Sequence, residues 1–211
     1  MKFQHHPLVT ISIPIYKNKY TIEACLSSIK HQSYKQIEVN IIYGSKDGEI
    51  LKVAKRFGIK KIKFCEGSLL KSRYEGVKLA KGKYTLILDF DQILDSTSVQ
   101  RAVTLAETHS LDMLAFEETV YSTKTFLEKL FYCDRKLINW VNDLNPFTGV
   151  ILPRFFRTAL LKKSYSNIQE NYYSNTGGPD HAIVYYEAWL LSKRIDILPN
   201  AIRHIEPSSM V

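Results

Sequence analysis

The stretch "KYTLILDFDQILD", Lys83 to Asp95, places two carboxylates, Asp89 and Asp91, directly after an apolar run typical of an interior β-strand. Two anions either side of one phenylalanine cannot both face the core, and burying them without partners would be very costly. They must contact water, a cation or a network of donors. Because Mg²⁺ and Mn²⁺ are commonly held by one or two carboxylates plus substrate phosphates, a divalent metal site is one interpretation. The alternative is that both aspartates cap the turn and the helix that follows.

The elements around this pair alternate regularly between strand and helix. We predict strands over 8–16, 37–43, 60–66 and 84–89, separated by helices over 21–33, 50–58 and 69–82. Four alternations in about 90 residues indicate an α/β fold with a doubly wound, mostly parallel sheet. Ligands in such sheets bind beyond the carboxyl ends of the strands, where Asp89 and Asp91 fall.

The second half of the chain is less regular. Helices are predicted over 98–110, 125–143 and 181–194, and strands over 112–121 and 195–206. Asp95 or Ser96 is the expected cap of the first of these helices, and Thr125 with Glu128 has the spacing of a capping box. The aromatic residues of this half could shape a binding pocket or belong to the core: Trp140, Phe147, Phe155 and Phe156.

Composition narrows the class of protein. The 211 residues fit one domain, and the net charge of +8 favours an anionic partner such as nucleic acid, a membrane surface or a phosphorylated small molecule. No helix-turn-helix, zinc-finger or RNA-binding signature is present, so nucleic acid is not expected. The three cysteines are too few and too scattered for a disulfide framework or a zinc site. The N-terminal residues lack the features of a secretory signal, which predicts a cytoplasmic location.

A series of motifs carries a more specific resemblance. In order, "VTISIPIYKN", "CLSSIKHQSY", "IEVNIIYGSKD", "KSRYEGVKLAKGKYTLILDFDQIL" and the later "PDH" resemble the successive motifs of family 2 glycosyltransferases. The resemblance implies a single GT-A (Rossmann-like) α/β domain over 1–211. Residues 1–100 would bind a nucleotide sugar and residues 101–211 an acceptor.

The resemblance also implies a metal centre. Asp91 would ligate Mg²⁺ or Mn²⁺ at the donor diphosphate, and Asp89 would contact the ribose or sugar and support the site. His204, after the last strand, would be a further ligand to the metal or phosphate, although an isolated histidine can also be structural.

Substrate-binding positions follow from the same motifs. Pro14 and Tyr16 of "SIPIY" would contact the donor, with Tyr16 at the nucleobase, and Arg73 would lie near the base or diphosphate. Asp47 matches the acid of the family's "GSxD" motif. The structural alternatives are a core tyrosine, a solvated helical arginine and an Asx cap, respectively.

Transfer with inversion needs a base that deprotonates the acceptor hydroxyl. The matching position at the start of the predicted last helix is Asp180, with His181 as a rival, and Asp180 could alternatively be an N-cap. The chain also departs from the family pattern. Ile42 and Tyr43 stand where members usually carry two aspartates, one of which reads the base, and Gln92 replaces a third aspartate.

The predicted function is that of an inverting, metal-dependent glycosyltransferase. It would move a sugar from a nucleoside-diphosphate sugar to a hydroxyl of a carbohydrate or lipid-linked acceptor, in surface polysaccharide or glycolipid synthesis. Peripheral association with the inner face of the membrane is compatible with this role. Two alternatives stay open: a GT-A module that binds nucleotide sugars without turnover, and a basic protein that docks on anionic lipid or nucleic acid.

Overall fold

A computed structural model describes residues 6–15, 21–44, 48–175 and 180–206. Its centre is one eight-stranded sheet in the order β3-β2-β1-β4-β7-β6-β8-β5. The strands are β1 (Val9–Ile15), β2 (Ile37–Tyr43), β3 (Lys61–Phe64), β4 (Tyr84–Ile87), β5 (Gln92–Leu94), β6 (Met113–Val120), β7 (Pro153–Arg157) and β8 (Ile195–His204). The helices are α1 (Ile22–Lys30), α2 (Glu49–Arg56), α3 (Leu69–Leu79), α4 (Ser98–Thr108), α5 (Phe126–Val141), α6 (Thr158–Asn167), α7 (Glu170–Asn175) and α8 (Asp180–Leu191).

The first four strands are all parallel, as the alternation of strand and helix predicts. β1 pairs with β2 over its whole length, from Val9 opposite Ile37 to Ile15 opposite Tyr43, and β4 pairs with the other side of β1. The carboxyl ends of β1, β2 and β4 therefore lie at one edge of the sheet. The loop with Asp89 and Asp91 begins at this edge.

The second half of the sheet is mixed. β7 runs antiparallel between β4 and β6, β8 is parallel to β6, and the short β5 pairs antiparallel with β8 at the far edge. β5 belongs to the first 100 residues yet lies beside β8. The two sequence halves are therefore interleaved in the sheet rather than divided along it.

Helices cover both faces of the sheet, which accounts for the continuously apolar strands. Leu86 and Ile87 are adjacent on β4 but belong to different buried clusters, as do Phe155 and Phe156 on β7. Successive residues of a strand point to opposite faces, so each pair fills the core on both sides of the sheet. Phe155 and Phe156 are thus core residues rather than part of a binding pocket.

Helix capping differs in part from the prediction. The capping box of α5 is confirmed, because Thr125 accepts a hydrogen bond from the amide of Glu128 and Glu128 accepts one from the amide of Thr125. The predicted cap of α4, Asp95 or Ser96, was wrong. The N-cap is Thr97, whose own amide and hydroxyl donate to the Asp95 carboxylate. This contact stabilises the turn before the helix.

Candidate active site

Charged side chains from several elements meet at the carboxyl edge of β4. Asp89 and Asp91 lie in the loop after β4, and α3 and α8 contribute Arg73 and Asp180 to the same cluster. His204 ends β8. These five residues are predicted from the sequence to belong to one site, and the fold brings all of them together.

Asp91 lies beside His204. The Asp91 Oδ1 atom is 3.4 Å from the His204 Nε2 atom, and the His204 Nδ1 atom is 3.0 Å from the Glu206 carboxylate. Burial alone would lower the pKa of His204, but the two carboxylates outweigh it and raise that pKa to about 9. Among the described residues, the buried Asp91 Oδ1 atom makes no hydrogen bond.

Asp89 is held by two arginines. Its Oδ1 accepts a hydrogen bond from Arg73 at 2.8 Å, and its Oδ2 accepts one from Arg154 at 2.7 Å. Burial would raise the pKa of this carboxyl, yet the guanidinium groups of Arg154 and Arg73 hold it far below its usual range. Asp89 is therefore ionised at neutral pH, and both of its oxygens are engaged.

Arg73 links this carboxylate to α8. Its side chain is only 3% exposed and donates to Asp180, which α8 carries in its first turn, where the helix dipole favours an anion. The neighbouring His181 is within 3.2 Å of Arg154 and 3.9 Å of Asp89. Burial and the two arginines hold the pKa of His181 well below its usual value, so its imidazole is neutral at pH 7.

Sequence reasoning missed Arg154, Glu118 and Arg135. Arg154 projects from β7 and also donates through Nε to Glu118 of β6 at 2.9 Å, while Arg135 of α5 contacts Glu118 at 3.2 Å. Gln92 connects the network back to the loop, since it donates to Glu118 and accepts from the Asp89 amide. The signal was available for Glu118, because it also follows an apolar stretch of a strand. Arg154 lies between Pro153 and Phe155, which disguised the strand.

Two cavities adjoin the cluster. The smaller, of about 220 Å³, is lined by Pro14, Arg73, Asp89, Asp91 and His204 among others. The larger, of about 540 Å³, is bounded by Glu118, Arg135, Trp140, Arg154 and His204 among others. His204 lines both cavities. The larger one has the volume of a small-molecule site.

Some predicted positions give no further information or differ from the family pattern. Tyr16 and Asp47 lie outside the described residues. Ile42 is fully buried in the core and Tyr43 packs edge-on against Phe64. The family's usual pair of aspartates is thus replaced by an aliphatic core residue and a packed aromatic ring.

The side chains fit a divalent cation only in part. The buried Asp91 oxygen that makes no hydrogen bond to the described residues is a donor suited to Mn²⁺ or Mg²⁺, whereas His204, whose pKa is about 9, is an imidazolium at pH 7 and could ligate a metal only after losing its proton. No group of three or more histidine, cysteine, aspartate or glutamate side chains suited to a metal occurs in the described ranges. A cation here would need further ligands from a bound substrate, as is usual for Mg²⁺ at phosphates.

The chain was compared with known proteins. The family model described as "Glycosyl transferase family 2" matches residues 10–183. The uncharacterized glycosyltransferase EpsJ of Bacillus subtilis is 35% identical over 113 residues, which are 51% of this chain and 33% of that protein. The poly(ribitol-phosphate) β-N-acetylglucosaminyltransferase TarP of Staphylococcus aureus is 23% identical over 50% of this chain and 35% of its own length. The matches thus span about a third of these two relatives.

Solved structures show the same fold. S. aureus TarS, residues 1–349 in complex with UDP-GlcNAc, has a TM-score of 0.69 at 19% identity, covering 96% of this chain and 60% of that one. The mannosyltransferase PcManGT of Pyrobaculum calidifontis, in complex with GDP-Man and Mn²⁺, has a TM-score of 0.63 at 15% identity and covers 93% and 56%. At such identities the likeness shows the fold alone. Because the family model covers most of the chain, this protein belongs to glycosyltransferase family 2 and has the GT-A fold.

Proposed function

We propose that this chain is the catalytic part of an inverting, metal-dependent glycosyltransferase that uses a nucleoside-diphosphate sugar. The observation that carries the proposal is the pairing of Asp91 with His204 at the carboxyl edge of the sheet, where the Asp91 Oδ1 atom makes no hydrogen bond to the described residues. In the proposed complex Asp91 would hold Mg²⁺ or Mn²⁺ together with oxygens of the diphosphate, and His204 would become a ligand on losing its proton. The metal would stabilise the negative charge on the departing nucleoside diphosphate.

Arg73 and Asp89 have supporting roles in this proposal. Arg73 is a fixed cation beside the smaller cavity, suited to contact the diphosphate or base, and Asp89 contacts the ribose or sugar while keeping Arg73 and Arg154 in place. Pro14 lines the same cavity and would contact the donor. The larger cavity would receive the carbohydrate or lipid-linked acceptor, which makes residues 101–211 the acceptor half.

The proposed base is Asp180, with His181 as its rival. Asp180 is buried against Arg73, so binding of a diphosphate to Arg73 would have to loosen that ion pair before the carboxylate could accept the acceptor proton. His181 is neutral and can accept a proton without such a change. One displacement at the sugar carbon suffices for inversion, and no covalent enzyme intermediate is required.

A thermal-shift screen of nucleoside diphosphates and their sugars tests donor binding. A ligand at 100 times its Kd stabilises the native state by about 2.7 kcal/mol. For a domain of this size that raises Tm by roughly 5–10 °C. Mn²⁺ should increase the response of the wild type but not of Asp91→Ala. The exposed Asp196→Ala is the matched control and should respond as the wild type does.

Turnover is tested separately with the nucleotide sugar that binds. Asp180→Asn should abolish transfer if Asp180 is the base, whereas His181→Ala should do so if the histidine is. The enzymatic proposal would be refuted by two results together. Sugar transfer by the wild type would be no faster than without enzyme, and Asp91→Ala would bind the nucleotide as tightly as the wild type does.

A binding module without turnover is the second candidate. The buried Ile42 in place of an aspartate and the ion-paired Asp180 favour it. Donor binding without transfer would support this candidate, and transfer that depends on Asp180 or His181 would eliminate it.

A further inference from the structure

The helix α5 is oriented with its polar side toward the protein. Glu128 is buried and closes the capping box, and Arg135 forms ion pairs with Glu118 and Glu206. Asn139 donates to the backbone oxygen of Glu118 at 3.1 Å. Three polar side chains of α5, those of Glu128, Arg135 and Asn139, are thus directed inward.

The opposite side of α5 is apolar and exposed. Phe126, Leu130, Leu137 and Trp140 are 78%, 54%, 61% and 82% exposed, and the exposed Cys133 lies between them. Their spacing of four, three, four and three residues aligns them along one narrow face of the helix. We call these five residues the α5 stripe. A row of large exposed apolar side chains on a soluble domain marks a surface that contacts another molecule or a membrane.

Lysines border the α5 stripe. Lys129 and Lys136 lie along one edge of it, and Lys124 precedes the helix; all three are exposed. Lys136 lies 4.7 Å from the centre of the Tyr132 ring, so its stem follows the helix surface. The one acid at the border is Asp134. An apolar face edged by lysines is complementary to a bilayer with anionic head groups, within a chain whose net charge is +8.

We propose that α5 docks this domain on an anionic phospholipid surface, with the α5 stripe in the head-group region and the bordering lysines at the phosphates. The helix of 16 residues is about 24 Å long, which permits contact with several lipids. None of the described helices is long and apolar enough to cross a membrane, so the contact would be peripheral.

The proposal fits the position of the larger cavity. Trp140 belongs to the α5 stripe and also lines that cavity together with Arg154 and His204. Docking through α5 would therefore place the cavity next to the bilayer. Access for a lipid-linked acceptor rests on the proposed function, whereas docking itself does not.

A second copy of the chain is the competing occupant of the α5 stripe. The alternating spacing of four and three also suits a coiled coil, but the stripe extends over only about two heptads, fewer than the three or four that mark such a structure. Lys129 and Lys136 both lie on the same edge, where one acid of a parallel partner, Asp134, could pair with only one of them. The membrane surface satisfies both lysines.

The test is flotation of the protein with vesicles of phosphatidylcholine alone or mixed equally with phosphatidylglycerol. We expect the wild type to bind the mixed vesicles, with a blue shift of Trp140 fluorescence in a Trp189→Phe background. Lys129→Glu/Lys136→Glu should weaken binding roughly tenfold or more, since each lysine near an anionic surface contributes about a factor of five. Leu137→Ser/Trp140→Ser should also weaken binding roughly tenfold or more, since it removes apolar area from the head-group region. Leu190→Ser, which changes an exposed leucine of α8, is the matched control and should bind like the wild type.

Three results would overturn the proposal. The first is that the wild type does not bind the anionic vesicles. The second is that the stripe and lysine variants bind as strongly as the wild type. The third is that the wild type sediments as a dimer and Leu137→Ser/Trp140→Ser does not. The nucleotide response in the thermal-shift assay should be unchanged in Lys129→Glu/Lys136→Glu. Failure of docking and failure of donor binding are thereby distinguished.

Discussion

Arg154→Met is the most informative perturbation of the charged cluster. Arg154 is 13% exposed and joins Asp89 to Glu118, so its removal leaves two mostly buried carboxylates with fewer partners. Breaking a buried ion pair by removing one partner costs about 3–5 kcal/mol. Because Asp89 keeps Arg73 and Glu118 keeps Arg135, we expect a loss near the lower limit, about 3 kcal/mol. For a domain of this size that lowers Tm by roughly 6–12 °C.

The matched control is Arg157→Met, on the same strand. Arg157 pairs with Asp112, but that carboxylate retains Arg194 and Ser192, and we expect a loss of about 1 kcal/mol. Urea denaturation of both variants measures the difference. Equal losses of stability in the two variants, or a stability of Arg154→Met equal to that of the wild type, would show that the cluster does not depend on Arg154.

The pH dependence provides a second measurement. The pKa of Asp89 is lowered in the folded state, mainly by Arg154 acting against burial, so its ionisation stabilises the fold above the unfolded pKa of about 3.9. This contribution is lost as the pH falls below that value. The stability difference between wild type and Arg154→Met should therefore be largest near neutral pH and narrow below about pH 4.

Two further predictions concern the scaffold. Gly82→Ala should lower the free energy of unfolding by about 3 kcal/mol or more, because the new Cβ would lie 2.6 Å from the backbone oxygen of Leu8. At the open position Gly48, alanine should change this free energy by no more than about 0.5 kcal/mol. Similar losses for the two variants in urea titrations would contradict this prediction. Thr125→Ala should cost about 1 kcal/mol by removing the acceptor for the Glu128 amide, measured as a fall in Tm of roughly 2–4 °C, and an unchanged Tm would show that the cap is dispensable.

The fold could be predicted well where local pattern decides structure. Strands β1 to β4 and their helices follow from short β-branched runs separated by amphipathic segments, and β2 matches its predicted range, Ile37–Tyr43. β5 and β7 were missed. β5 has three residues, and β7 begins with Pro153 and carries two adjacent core phenylalanines between arginines, so neither shows the alternation expected of a strand.

The candidate site was predictable at positions that belong to motifs and not where pairing between distant strands decides. Asp89, Asp91 and Arg73 come from adjacent segments of one motif series. Arg154 reaches Asp89 only because β7 inserts antiparallel between β4 and β6, which no local pattern encodes. The orientation of α5 was equally hidden, since periodicity locates an apolar face but does not tell whether the core or another partner covers it.

The native protein has one accessible thiol among its three cysteines. Cys25 lies beneath the loop after β4, where burial raises the pKa of its thiol, and Cys65 is also buried, whereas Cys133 is exposed on α5. A maleimide dye added under native conditions should therefore attach at one position, on the surface proposed to meet lipid. The two buried thiols become reactive only when the protein unfolds. The mean number of labelled cysteines per molecule therefore reports the fraction of unfolded protein.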